Sequence, residues 1–225
     1  MARILFVFTS ANKTLTGAQT GWYLPEAAHP YYVLEKLGHQ IDFAAPDGPN
    51  PPVDESSVQM FKDEESQRFL QDEAVERRFA TAKRVADVDP TQYDAIFYVG
   101  GHGPVLDLAT DPANIKLANE FWRAGKVTSA VCHGPAALVG VTDASGKSIF
   151  SGRKATCFSN VEEEQVAKVK DIPFLVEDRI KELGGTYEKA AEPWGERVIV
   201  DGRLITGQNP ASAKGVGEAI HKALA

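Results

Sequence analysis

Cys132 and His133 stand at the junction of two contrasting sequence patterns. The run Val127–Val131 before them is apolar and rich in β-branched residues, which predicts a buried strand. Gly134-Pro135 after them opens a small-residue segment that predicts a helix over residues 134–140. A cysteine in such a turn lies at the sheet edge where α/β proteins bind ligands, and the helix N-terminus would stabilise a thiolate there. The pattern favours a nucleophile over a small buried side chain.

The chain has two cysteines, too few for a disulfide framework, so we expect a reducing, cytoplasmic location. Cys157 lies in the strand-like run K-A-T-C-F, without a neighbouring histidine or glycine turn. We interpret Cys157 as structural.

The run Gly100-Gly101-His102-Gly103 follows a predicted strand, 95–99, and therefore reaches the same sheet edge as Cys132. The Gly101 and His133 amides are candidates for an oxyanion hole. The alternative is a turn that simply needs glycine in a left-handed conformation. His29 and His102 lack the spacing of metal ligands, so we predict neither a metal nor a cofactor.

An imidazole such as His133 needs an orienting partner. The run Glu162-Glu163-Glu164 offers three, two of which we expect to be solvated. Glu26, beside Pro25, has the position of a first-turn glutamate that complements a helix dipole. Trp194, in E-P-W-G, is either a pocket wall or a packed loop aromatic.

The elements that must position these residues alternate along the chain. The predicted strands are Arg3–Phe8, Ile41–Ala45, Ala95–Val99, Val127–Val131, Lys154–Phe158, Val198–Val200 and Leu204–Thr206. Besides residues 134–140, the predicted helices cover residues 24–37, 112–124, 173–183 and 211–224. This order predicts an α/β fold: a doubly wound, mostly parallel central sheet with helices on both faces, a flavodoxin-like sandwich with a nucleophile elbow at Cys132.

Length and charge bound the function. With 225 residues, we expect a single α/β domain over 1–225, with a surface insertion around 46–90 that carries a charged helix near 64–80. The net charge of −7 argues against nucleic acid or a membrane surface as a partner, and no run is apolar for the roughly 20 residues that a membrane span requires.

Four motifs, together with a first strand and loop at Phe6–Ser10 and Asn12, resemble the ThiJ/PfpI superfamily, relatives of the class I glutamine amidotransferases. The four motifs are A-V-C-H-G-P-A at 130–136, L-P-E-A-A-H-P at 24–30, Y-V-G-G-H-G at 98–103 and L-I-T-G-Q-N-P-A-S at 204–212. The chain length and the form of the second motif are similar to the fungal heat-shock branch, which is described as glutathione-independent glyoxalase or D-lactate dehydratase.

The resemblance implies a site and a reaction. It places the Glu26 carboxyl, protonated, against Cys132, favours the oxyanion hole, and makes Glu163 the third member of a Cys132–His133 triad, with Glu162 and Glu164 as alternatives. Cys132 would add to methylglyoxal or glyoxal to form a hemithioacetal, Glu26 or His133 would act as base, and no glutathione would be needed.

Other functions stay open on the same thiol and fold. These are a cysteine peptidase or amidase, a stress chaperone that holds unfolded-protein clients, and a redox sensor. The resemblance also implies a homodimer.

Overall fold

The protein is described by a computed structural model that covers residues 1–225. Its nine strands are β1 Arg3–Val7, β2 Gln40–Ala45, β3 Lys83–Arg84, β4 Ala95–Tyr98, β5 Val127–Val131, β6 Lys154–Ala155, β7 Thr186–Tyr187, β8 Val198–Asp201 and β9 Leu204–Gly207. Its α-helices are α1 Leu24–Lys36, α2 Glu55–Met60, α3 Glu64–Gln71, α4 Glu73–Ala80, α5 Gly103–Leu106, α6 Pro112–Arg123, α7 Asn160–Gln165, α8 Val176–Glu182 and α9 Ala213–Leu224.

Seven strands form the central sheet in the order β3-β2-β1-β4-β5-β9-β8. All neighbours are parallel except β8 and β9, which pair antiparallel. Strand residues alternate between the two faces, so Ile4 and Phe6 enter one hydrophobic core while Leu5 and Val7 enter the other. The first core lies under α1 and α9, and the second lies under α6 and α8. The predicted α/β sandwich is confirmed.

Residues 46–90, expected to form a surface insertion, contain three short helices and the edge strand β3. The helix expected over 64–80 is two helices that meet at Asp72, because the Asp72 side chain accepts a hydrogen bond from the amide of Ala74 and starts a new helix there. Phe69, on α3, is buried in the core under α1.

Two other predicted elements differ from the structure. The strand expected over Lys154–Phe158 is only Lys154–Ala155 and pairs with β7 in a separate two-stranded sheet, because β8 already occupies the open side of β9. The helix expected over 134–140 is a 3₁₀ turn over Gly134–Leu138, since the following Val139-Gly140-Val141 are poor helix formers. None of the helices combines the length and the apolar character that a lipid bilayer crossing needs.

Candidate active site

Cys132 leaves β5 in a strained backbone conformation. Its φ is +60°, in the left-handed region that residues other than glycine rarely adopt. Its amide donates to the carbonyl of Gly207 on β9 (2.9 Å), and its carbonyl accepts from the amide of Phe158 (2.9 Å). These bonds hold the turn on both sides, and the thiol lines a cavity. The arrangement is that of a nucleophile elbow.

The Cys132 sulfur is not the ionised thiolate that the sequence led us to expect. Burial raises the pKa of the thiol well above its usual value. The expected helix dipole is also missing, because the turn after Cys132 is too short to build one. The resting form is therefore a neutral thiol.

The adjacent His133 nevertheless faces that thiol, with its Nδ1 3.3 Å from the Cys132 sulfur. On the other side of the ring, His133 Nε2 contacts Glu163 Oε2. Burial alone would raise the pKa of Glu163, but the two histidines around it, His133 and His102, hold that pKa well below its usual range. Cys132, His133 and Glu163 thus form a continuous chain of polar contacts.

The other two glutamates of the run lie elsewhere. Glu164 is exposed, as expected, but Glu162 is fully buried, so the expectation that it is solvated is wrong. One Glu162 oxygen completes a capping box with Ser159 at the start of α7. The other accepts hydrogen bonds from the Trp194 amide (2.8 Å) and the Asn209 side chain (2.8 Å). Glu162 therefore fixes the wall of the cavity and does not orient His133.

His102 is a site residue that the sequence reasoning missed. Its Nε2 lies 2.6 Å from Glu163 Oε1, and its ring centroid lies 4.0 Å from that of His133. Its side chain is almost completely buried, and Nδ1 has no hydrogen-bond partner. Burial, and then the neighbouring imidazole of His133, lower the pKa of His102 to about 4. The sequence feature that could have identified His102 is the glycine turn after β4, because this turn reaches the same sheet edge as Cys132.

Glu26 lies in the first turn of α1 and is completely buried beside the Cys132 thiol. Burial raises the pKa of this carboxyl well above its usual value, and neither oxygen makes a well-formed hydrogen bond. The carboxyl packs directly on Gly100: a Cβ there would stand 2.1 Å from Glu26 Oε2 and 2.8 Å from the Cys132 Cβ. Glu26 is therefore a neutral acid in contact with the nucleophile.

The backbone amides of Gly101 and His133 donate to no backbone carbonyl of the protein, and both residues line the cavity. Gly101 has φ +97°, and its amide lies at the Cys132 sulfur and the Glu26 carboxyl. A negatively charged oxygen formed next to the sulfur would find these two amides at this position.

The cavity has a volume of about 280 Å³. Its walls are largely apolar, formed by Tyr23, Met60, Phe158, Val166, Trp194 and Pro210. The Trp194 ring meets Phe158 edge-on with 5.5 Å between centroids, and Phe158 in turn packs on His133. Trp194 thus forms a wall of the cavity, one of the two interpretations left open by the sequence.

His102, His133 and Glu163 are also the group of side chains closest to a metal site, with ligand atoms all within 4.8 Å of one another. Both imidazole Nε2 atoms, however, point at the Glu163 oxygens within hydrogen-bond distance. A metal ion would have to break both contacts, so the arrangement fits a hydrogen-bonded network better than a metal site.

Comparison with known proteins agrees with the motifs. Glyoxalase 3 of Candida albicans is 33% identical over 95% of this chain and 94% of its own length. The glutathione-independent glyoxalase HSP31 of Saccharomyces cerevisiae is 33% identical over 94% of this chain and 93% of its own. The X-ray structure of Rapid Encystment Protein 24 KDa from Francisella tularensis is 34% identical, with a TM-score of 0.94 over 100% of both chains.

The model of the DJ-1/PfpI family matches residues 18–223, which is nearly the whole chain. The resemblance carried by the four motifs is therefore confirmed, and this protein belongs to the DJ-1/PfpI family.

Proposed function

We propose that this protein is a glutathione-independent glyoxalase that converts methylglyoxal to lactate and acts on glyoxal as a second substrate. Two relatives that match nearly its whole length carry the names glyoxalase 3 and glutathione-independent glyoxalase. The site supports the same reaction without a cofactor, because the protein's own thiol takes the place of the glutathione sulfur.

The observation that carries the proposal is the surroundings of one sulfur atom. The Cys132 thiol lines an apolar cavity, has the His133 Nδ1 at 3.3 Å as a proton acceptor, and touches the neutral Glu26 carboxyl. An aldehyde that enters the cavity meets a nucleophile, a base for the thiol proton and an acid for the carbonyl oxygen.

The reaction begins when the Cys132 sulfur adds to the aldehyde carbon and His133 takes the thiol proton. The oxygen charge that develops is stabilised by the amides of Gly101 and His133. His133 then passes the proton to this oxygen, which completes the hemithioacetal hydroxyl. Removal of the hydrogen on that carbon gives an enediol, and reprotonation of the neighbouring carbon gives a thioester of Cys132. Water, activated by His133 and oriented through Glu163, then releases lactate.

The walls of the cavity assist by excluding bulk water while the enediol exists. Trp194 and Phe158 cover the imidazole side of the site, and Tyr23 and Met60, which contact each other, add to the apolar wall.

The test is lactate formation from methylglyoxal without glutathione, with chiral analysis of the product, by the wild type and Cys132→Ala. We expect turnover by the wild type alone. Equal turnover by both proteins would refute the covalent mechanism. Peptide hydrolysis without action on dicarbonyls would favour a peptidase instead. The homodimer, the cytoplasmic location and the unfolded-protein clients stay predictions.

A further inference from the structure

Lys168 brings a charge to the cavity that the reaction of methylglyoxal does not use. The cavity is lined by this lysine and by no arginine, aspartate or glutamate. The Lys168 ammonium group forms no ion pair or hydrogen bond within the chain, in contrast to Lys154 and Lys181, which each pair with a glutamate. Lys168 is half-buried, so its charge is partly removed from water without a partner. Neither methylglyoxal nor glyoxal has an anionic group that could bind it.

The end of α7 returns Lys168 to the polar groups of the site. The helix ends in a Schellman motif, in which the Ala167 amide donates to the Glu164 carbonyl (3.0 Å) and the Lys168 amide donates to the Glu163 carbonyl (3.2 Å). The two residues joined by the outer bond of this motif commonly pack against each other. Lys168 therefore lies next to the residue that orients His133.

The turn that carries Lys168 is fixed rather than free. Ala167 has φ +58°, in the left-handed region where glycine is usual at the end of a helix. Such strain persists only where the surrounding contacts determine the conformation. The contacts here are the two amide bonds of the Schellman motif and a bond from the Asp171 amide to the Lys168 carbonyl (2.8 Å). The backbone of Lys168 is thus held at both its amide and its carbonyl.

The charge of Lys168 also acts on the imidazole pair. Burial and the His133 imidazole are the main causes that lower the pKa of His102, and the Lys168 ammonium adds to this lowering. The His102 and His133 rings lie 4.0 Å apart, and the Cys132 sulfur is 3.3 Å from His133 Nδ1. The sulfur therefore adjoins one imidazole, while the ammonium charge acts on the other. An anionic group a few bonds from the aldehyde carbon would come within reach of this charge.

The cavity has room for such a substrate. Its volume of about 280 Å³ is close to the lower limit, about 300 Å³, of pockets that hold drug-sized ligands, and methylglyoxal is only a three-carbon molecule. The largely apolar walls suit a short hydrocarbon segment between the aldehyde and a charged end.

We propose that Lys168 is a specificity-determining residue whose ammonium group binds a carboxylate of the substrate, so that the site prefers 2-oxoaldehydes with a terminal carboxylate over neutral ones of similar length. This inference deepens the proposed function and rests on it. Cys132 receives the aldehyde, the apolar walls contact the hydrocarbon segment, and Lys168 fixes the far end. The chemical steps at Cys132 are unchanged, and the product is a 2-hydroxy acid with a second carboxylate.

The test compares 4,5-dioxopentanoate with its methyl ester, which has the same 2-oxoaldehyde but no negative charge. The proteins are the wild type, Lys168→Gln, Lys168→Arg and the control Lys170→Gln. Lys170 is an exposed lysine of the same segment and does not line the cavity. The measurements are kcat and KM for formation of the 2-hydroxy acid without glutathione, at low and high salt, with methylglyoxal assayed beside the two substrates.

We expect the wild type to have a KM about tenfold lower for the carboxylate than for the ester, a preference between that of an exposed ion pair and that of a hydrogen bond to a charged group. Lys168→Gln should lose this preference, chiefly through KM, because the charge binds the substrate and the transition state alike. Lys168→Arg and Lys170→Gln should keep it. High salt should reduce the preference of the wild type by screening the charges.

Three results would overturn the assignment. They are equal KM values for the two substrates in the wild type, a preference that survives Lys168→Gln, and a preference that Lys170→Gln abolishes as well. In each case, turnover of methylglyoxal without glutathione would leave the proposed function in place. If the wild type converts none of the three dicarbonyls, the proposed function fails and the assignment fails with it.

Discussion

The two cysteines of this chain are alike in their burial but differ in the groups that surround the sulfur. Both are buried, and burial raises the pKa of both thiols well above the usual value. Cys157 donates to the carbonyl of Phe158 (3.3 Å) and is packed in the core under α6 and α8. Cys132 instead stands at φ +60° on the edge of a cavity, with an imidazole and a carboxylic acid beside it.

The comparison teaches that reactivity here does not depend on a thiolate at rest. A thiol whose pKa is raised becomes a nucleophile when the proton can leave as the bond to carbon forms. Only Cys132 has an acceptor for that proton, His133, and a donor for the substrate oxygen, Glu26. The two cysteines therefore differ in reactivity because only Cys132 has this relay of a proton acceptor and a proton donor, and not because of their charge at rest.

The largest effect expected is the loss of catalysis in Cys132→Ser. We expect glutathione-free turnover of methylglyoxal to fall by roughly 10³-fold or more, since removing the nucleophile of a relay disables the other members as well. The measurement is kcat for lactate, with Cys157→Ser as the matched control. If the two serine variants lost activity equally, the contrast between the cysteines would be wrong.

A smaller loss is expected when the relay is kept but its orienting carboxylate is changed. Glu163→Gln leaves the histidine tautomers unfixed, and we expect kcat to fall by about 100-fold or more, as for other triad carboxylates. Glu164→Gln is the matched control, because Glu164 is the exposed neighbour in the same helix. Equal kcat values for the two variants would show that Glu163 does not orient His133.

The same polar cluster should make stability depend on pH in the acid range, where the Cys157 thiol stays protonated in both the folded and the unfolded chain. His102 has a folded-state pKa of about 4 against 6.5 when unfolded, so the unfolded chain binds a proton first as pH falls. Stability should therefore decrease from pH 6.5 to 4, by on the order of 3 kcal/mol from this group. The Glu163 carboxylate, with its lowered pKa, adds a further loss below the usual glutamate pKa.

Thermal denaturation at several pH values measures this dependence. His102→Gln should show a flatter decline than the wild type between pH 6.5 and 4. An unchanged slope would mean that the imidazole does not titrate differently in the folded protein.

The smallest effect is expected at the comparison residue itself. Cys157→Ala removes a buried sulfur and a weak hydrogen bond, and should lower the free energy of unfolding by about 1 kcal/mol. Urea denaturation measures the loss, and kcat should not change. A large fall in kcat would give Cys157 a part in the site.

Much of this arrangement could be predicted from local sequence. The buried run Val127–Val131 and the turn after 95–99 place Cys132 and Gly101 at one edge, because the ends of parallel strands meet there. The structure has β5 over the predicted residues, and α1 ends at Lys36, one residue before the predicted limit.

The rest depends on contacts between distant segments. Glu163 comes from α7, and neither periodicity nor spacing says which of three adjacent glutamates turns toward His133. His102 was overlooked because its role exists only through Glu163, a residue 61 positions away. The raised pKa of the Cys132 thiol could not be predicted for a related reason: its main cause is burial, and burial is a property of the folded chain.

The crowding at Gly100 has a consequence for how this site can vary. Gly100 does not have a positive φ, so its backbone would suit other residues. What excludes them is space, since even a methyl group would press the acid and the nucleophile apart. In a saturation library, active clones should therefore retain glycine at this position, while conformationally demanding glycines on the open surface, such as Gly146, tolerate exchange more readily. Mutational intolerance at this turn is a matter of volume, set by the Glu26 and Cys132 side chains and the Val131 carbonyl oxygen.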